Sequence, residues 1–353
     1  MKKILLCLVV IFTLTGCLPR VELRDRAIAQ CFGVDFEDNE YTVTLQIFES
    51  GDKGSGENKS QLISAKGMTI TDAIYNINSI LGKEVFLGNN KTIIIGEDSA
   101  KDGIEYITGF FNGDYQTGIR TNIAVCKGKA ENFVSRKDKN GNNINFKNME
   151  YTLNESINQG IIPKSDIISV ETAMGFEDNS AFILGYIDSY EINGEIFSKI
   201  EGGALFKGGK MIELLDKEIS KGVSIVIGKP KYYSVNLEND NGEYMTVIGK
   251  SPKKKIDYKK GKLNIDIKFE GNITEVILKD GRELSFEEIK KAEKLCENYI
   301  QNTVDKALKT CVIDNDCDIL KLEDLEENNA ELSININAKC SLERHSAELR
   351  GRR

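Results

Sequence analysis

The chain has 353 residues, 40% apolar and 29% charged, with one histidine, no tryptophan and a formal net charge of −8. That length allows two or three domains, and the composition is that of an ordinary globular body. The acidic balance excludes nucleic acid as a partner, and a Ser-His or Cys-His mechanism would rest on His345 alone.

Lys2 and Lys3 precede an apolar run from Ile4 to Leu14, followed by Thr15, Gly16 and Cys17. A positive start, a short apolar core and small residues before a cysteine predict a bacterial secretory signal over residues 1–16. Its end, Leu14-Thr15-Gly16, reads as a lipobox, with Cys17 as the lipidated residue. The apolar run is much shorter than the roughly 20 residues a membrane-spanning helix needs. Diacylglycerol on Cys17 would supply two acyl chains, enough for stable anchoring. Loss of Lys2 and Lys3 with the signal takes the net charge from −8 to −10.

Tyr41 to Phe48 alternates as a half-buried strand, and Gln61 to Ala65 is expected to pair with it across a glycine-rich connector. Thr69 opens a helix with apolar positions at Ile70, Ala73, Ile74, Ile77, Ile80 and Leu81, and Gly82 ends it. Thr92-Ile93-Ile94-Ile95 is a buried strand. Ser99 then reads as the cap of a helix carrying Ile104, Ile107 and Phe111, and Arg120 to Lys127 returns as a strand. Arg136 to Lys147 reads as a polar linker. Beyond it, Ser180–Ile187 and Tyr190–Phe197 read as strands with a turn at Asp188. A third strand starts at Glu201-Gly202-Gly203 and ends at the turn Lys207-Gly208-Gly209-Lys210.

The second half is richer in strands. Tyr232–Leu237 and Tyr244–Ile248 flank the hairpin signal Asn239-Asp240-Asn241-Gly242. Lys262 to Phe269 alternates, and so do Leu332, Ile334, Ile336 and Ala338. Between them Ser285-x-x-Glu288 is a capping box that opens a long amphipathic helix over 285–311. The predicted class is α+β, multidomain, with mixed α/β sheets and this helix packed on a strand-rich sheet. The expected domains are 17–199, with a further division near 130–150 as an alternative, and 200–353.

Little in the sequence points to catalysis. No G-x-S-x-G, H-E-x-x-H or calcium-loop spacing is present, so no catalytic residue, metal ligand or cofactor is assigned. Asp314 and Asp316 read as a solvated acidic turn. The lysines at 253–255, 259, 260 and 262 read as a solvated connection, with contact to anionic headgroups as the alternative. Cys31, Cys126, Cys296, Cys311, Cys317 and Cys340 are either buried free thiols or paired, with Cys311 and Cys317 the best candidates for a local disulfide.

Several segments in order resemble one family. They are Arg20-Val21-Glu22-Leu23, Ala27-Ile28, Gly33-Val34-Asp35 and Tyr41 to Gln46. Gly67-Met68-Thr69, Asp72-Ala73-Ile74, Lys91 to Glu97 and Gly103-Ile104 follow. Glu201 to Lys207 and Cys317-Asp318-Ile319 extend the match into the second half. This pattern resembles the Ger(x)C family, the lipoprotein C subunits of spore nutrient germinant receptors. Leu18 and Pro19 stand where the family commonly has a tryptophan and an acidic residue, and Asn112-Gly113-Asp114 replaces an Arg-Asp pair.

The resemblance implies a non-catalytic subunit on the outer face of the spore's inner membrane. It would be tethered through Cys17 and assembled with the membrane A and B subunits. The family places the nutrient pocket in the B subunit, so no ligand-binding residue is assigned here. A competing expectation is a substrate-binding lipoprotein of a membrane importer, which requires two βαβ lobes around a cleft.

Overall fold

Thr92-Ile93-Ile94-Ile95-Gly96 forms a strand at the centre of the first layer, with every residue buried. Ile93 and Ile95 enter one core and Ile94 the other, so both faces of the sheet are covered. Continuous apolar runs belong to such strands, because helices shield each face from water. This computed structural model describes residues 26–49, 59–114, 116–137, 139–141, 143, 146–175, 181–239, 241–277, 284–322 and 332–343.

The first sheet has nine strands: β1 (Arg26–Glu37), β2 (Glu40–Glu49), β3 (Lys59–Gly67), β4 (Glu84–Phe86), β5 (Thr92–Gly96), β6 (Asn122–Cys126), β7 (Ala181–Ile192), β8 (Glu195–Lys207) and β9 (Lys210–Asp216). Their order is β3-β2-β1-β5-β6-β7-β8-β9, with β4 beside the start of β1. The central four, β1, β5, β6 and β7, are parallel, and antiparallel hairpins flank them on both sides. On one face lie α1 (Ile70–Leu81), α2 (Glu97–Asp102), α3 (Glu105–Gly113) and α6 (Ile167–Met174). On the other lie α4 (Ala130–Val134) and α5 (Phe146–Asn158).

The second sheet contains β10 (Tyr232–Glu238), β11 (Tyr244–Lys250), β12 (Lys253–Lys259), β13 (Lys262–Ile277) and β14 (Ser333–Glu343). Leu263, Ile265, Ile267 and Phe269 alternate inward along β13, as a sheet with one wet face requires. The helices α7 (Lys217–Val226) and α8 (Phe286–Leu308) pack on each other and complete this half. α8 opens with the expected capping box at Ser285 and Glu288 and buries Ala292, Cys296, Ile300 and Val304. It passes into a π-helical turn, Lys309–Asp314, before the predicted end of the helix is reached.

Four local expectations change. Ser99 lies inside α2 and accepts a hydrogen bond from the Phe36 N–H at 2.6 Å, while Ile104 separates α2 from α3. Asp188 lies within β7, and the chain turns at Asn193 and Gly194, both at positive φ. The lysine-rich 253–259 segment is a strand. The last two residues of the expected linker, Phe146 and Lys147, already belong to α5.

Residue 200 falls inside β8, and β9 still belongs to the first sheet. The chain changes sheet across α7. Ala181, Ile183, Leu205 and Leu215 of the first sheet share a core with the second half. The second half is largely antiparallel with one long helix, which does not match the second βαβ lobe of the importer expectation.

Candidate functional site

The carboxyl ends of β1, β5, β6 and β7 meet on one edge, the place where parallel strands of α/β folds commonly gather functional groups. Val34 points into one core, so Asp35, next along the pleat, points to the opposite face. There its Oδ1 accepts from the Ala130 N–H and its Oδ2 from the Glu131 N–H, both at 2.8 Å. Lys129, at the N-cap of α4, makes no side-chain cap of its own. The capping carboxylate therefore comes from a strand far back in sequence. Burial raises the Asp35 carboxyl above its ordinary value, against the pull of the two N–H donors.

Charged pairs surround it. Lys129 Nζ donates to Glu37 Oε2 at 2.5 Å, and this bond holds the Glu37 carboxyl below its usual range. Lys101 Nζ and the Tyr186 hydroxyl donate to the two oxygens of Glu97 at 2.8 and 2.9 Å. The Glu97 N–H reaches the Gly128 carbonyl at 2.8 Å. Lys127 pairs with Asp188 at 3.1 Å.

Cys126 ends β6 at this edge, and Cys31 lies further back along β1 in the same core. Burial pushes both Cys31 and Cys126 up, with the Asp35 charge adding to the effect on Cys126. Such thiols stay protonated near neutral pH and are poor nucleophiles. The Asp35 carboxylate is committed to two backbone donors. The arrangement can therefore lock α4 to the sheet and present a charged rim, and it poises no nucleophile beside a base.

Gly33-Val34-Asp35 and Gly96-Glu97 entered the sequence reading only as carriers of resemblance. Their junction at α4 escaped it, because α4 has five residues and lacks a capping side chain at its own start. An acidic residue inside an otherwise apolar strand was the available signal.

Cys17 and the lipobox residues Leu14, Thr15 and Gly16 lie outside the described residues, as does His345. The six cysteines among the described residues are free, five of them buried and Cys340 half-buried. Cys296 of α8 faces Cys340 of β14 as a free thiol, and the hydrogen bond between the two thiols pushes Cys296 up. Cys311 and Cys317, the pair expected to favour a local disulfide, are free thiols joined through the Cys317 N–H and the Cys311 carbonyl at 2.9 Å. Asp316 pairs with Lys207 at 2.9 Å. Among the described residues no group of three or more His, Cys, Asp and Glu could hold a metal ion.

The lysine run divides by pleat. Lys253 and Lys255 face water, whereas Lys254 turns inward and donates to the carbonyls of Ile225 and Gly228 at 2.9 and 2.7 Å. It thus caps the C-terminal end of α7, where a cation is favoured.

A cleft of about 440 Å³ opens where the two sheets meet, lined by Arg120, Asn122, Asn154, Lys164, Asp166 and Lys229. Asp166 is already committed there. It accepts from the Ser169 N–H at 3.0 Å as the cap of α6 and pairs with Lys164 at 2.6 Å.

Residues 19–189 match the family described as spore germination protein N-terminal domain. Residues 201–346 match the family described as spore germination B3/GerAC like, C-terminal. Among curated proteins the chain is similar to YfkR of Bacillus subtilis (strain 168), 28% identical over 142 residues, 38% of this chain and 37% of that protein. It is also similar to spore germination protein KC of the same organism, 27% identical over 198 residues, 52% of this chain and 47% of that protein. The chain thus spans less than half the length of each of these relatives. Its fold is similar to the crystal structure of the GerBC protein, with a TM-score of 0.54 over 89% of this chain and 96% of that one, at 15% identity. Two consecutive family matches and a matching architecture lead to one conclusion: the chain belongs to the Ger(x)C family of spore germination proteins.

Proposed function

We propose that this chain is the non-catalytic C subunit of a spore nutrient germinant receptor. It is lipid-anchored through Cys17 on the outer face of the spore's inner membrane and assembles there with the membrane A and B subunits. The observation that carries the reading is the pair of family matches, which in sequence order cover 19–189 and 201–346. The carboxyl-edge cluster supports a structural subunit, because its one buried carboxylate serves as a helix cap. Tethering would raise the effective concentration of the body around its membrane partners, so modest contacts suffice for assembly.

The test is dipicolinate release from spores lacking this chain, challenged with a nutrient panel and with a receptor-independent trigger. Loss of the response to one nutrient set, with the independent trigger intact, is the expected result. Loss of both responses, or of neither when no other receptor is present in the strain, would overturn the reading.

A further inference from the structure

A second surface lies apart from the carboxyl-edge cap. The β1–β2 turn, the start of α1 and the junction of α2 with α3 enclose a groove of about 590 Å³. Its floor and walls are Phe36, Tyr41, Ile70 and Phe110, with the Phe36 and Tyr41 rings 4.7 Å apart. At its lip stand Met68 and Tyr106, 78% and 82% exposed. Single exposed apolar residues are ordinary on a protein surface, but a methionine and a tyrosine facing one apolar groove form a patch.

The backbone that presents Met68 is fixed. The Met68 N–H donates to Asp72 Oδ2 at 2.9 Å, while the Asp72 N–H donates to the Thr69 hydroxyl at 3.1 Å. Gly67 allows the close approach: a Cβ there would lie 2.3 Å from the Ala73 nitrogen. One of these bonds satisfies a free donor in the first turn of α1, and together they hold an apolar side chain in water. A surface ordered in advance loses less entropy when something binds it. Met and Tyr are also side chains enriched where proteins meet.

Charge narrows the occupant. Asp102 and Glu105 line the groove, no lysine or arginine does, and neither acid joins an ion pair among the described residues. Lys210 approaches with its stem at Gly103 and makes no ion pair with either acid. An apolar slot with an acidic lip is complementary to an apolar side chain flanked by a cation.

We propose that this groove is a docking site for a peptide segment of another protein that presents an aromatic or aliphatic side chain next to Lys or Arg. The proposal does not depend on which protein supplies the segment, and so it stands apart from the receptor reading.

The test uses the purified full chain and a fluorescein-labelled hexapeptide of alternating Lys, Leu and Phe. Two control peptides replace Lys by Glu, or Leu and Phe by Ser. The Lys peptide is expected to bind and both controls to bind at least about tenfold more weakly. Met68→Ala with Tyr106→Ala, and separately Asp102→Asn with Glu105→Gln, should each weaken it by about tenfold, and added salt should weaken it further. These residues are exposed, so unchanged circular dichroism is the expected control. No binding of the Lys peptide, equal binding of the Glu peptide, or indifference to both double variants would overturn the proposal. Loss of phospholipid-vesicle binding in the Met68/Tyr106 variant, without peptide binding, would overturn it in favour of a membrane contact.

Discussion

A Cβ on Gly96 would sit 2.0 Å from Oδ1 of Asp35, so the glycine at the end of β5 is what leaves room for the carboxylate that caps α4. Gly96 itself has an ordinary extended backbone, at φ −63°, so its requirement is space and not conformation. Removing the carboxylate leaves two sparsely solvated N–H groups without partners. Asp35→Ala is therefore expected to cost about 2–4 kcal/mol, from two lost acceptors and a lost helix cap. Gly96→Ala should displace the same carboxylate and cost a similar amount. The two effects should not add: the double variant should unfold at nearly the urea midpoint of the worse single one. Additive losses, followed by far-UV circular dichroism because the chain has no tryptophan, would show that the two residues act separately.

Gly222 in α7 makes the opposite use of a glycine, as the point where two helices touch. An added Cβ would meet the Thr303 carbonyl oxygen at 2.2 Å and the Ala307 Cβ at 2.7 Å. Helix propensity alone favours Ala over Gly by about 1 kcal/mol. Forcing a methyl into a packed contact costs about 1–3 kcal/mol. Here the obstacle is backbone of α8, which can yield only if the helices part, so the steric effect should win. Gly222→Ala is expected to lower the thermal midpoint; a rise would show that the α7–α8 crossing is looser than described.

Elements with strong periodicity or chemical punctuation were legible in the sequence. Thr69 and Gly82 bound α1 as expected, and Ser285 with Glu288 opens α8. The Gly242 N–H donates to the Asn239 carbonyl where β10 passes to β11. What escaped depends on distant neighbours. The short helix α4 is capped from β1, and the strand-or-turn choice at Asp188 is settled by β8 pairing through the whole of β7. The lysine run looked solvated because composition ignores the pleat, which sends Lys254 inward. Ile256 and Tyr258, two and four residues after Lys254 and so on its face of the strand, were the available signal. The carboxyl-edge cluster was visible only as separate short motifs, since nothing local says that Asp35 and Gly96 share one space.

Lys254 offers a test through pH. Burial, with Lys229 nearby, lowers its ammonium to about 8, although two helix-end carbonyls hold the proton. In the unfolded chain a lysine titrates near 10.4. Between those values the unfolded state binds more protons than the folded one, so this residue makes stability rise with pH across the window. The cost of burying the charge is fully present below about 8. Lys254→Met removes both the titration and the cap. Its loss in urea stability relative to the parent should therefore be larger at high pH than at neutral pH. An equal loss at both would show that the ammonium titrates normally.

Cys17 is the residue on which the anchoring proposal turns. Cys17→Ala removes the thiol that would accept diacylglycerol and leaves the folded body untouched in composition. Two acyl chains anchor stably where one binds only reversibly, so loss of the modification should free the chain from the membrane fraction. Docking onto membrane partners then becomes bimolecular, and the advantage of effective concentration disappears. The variant is expected to be depleted from spore inner membranes and to germinate weakly with nutrients at native expression, while overexpression restores part of the response by mass action. Full membrane retention would show that contacts of the folded body hold the chain in place. Full loss of function that overexpression does not relieve would show that the lipid does more than raise local concentration, since a tether alone can be replaced by more protein.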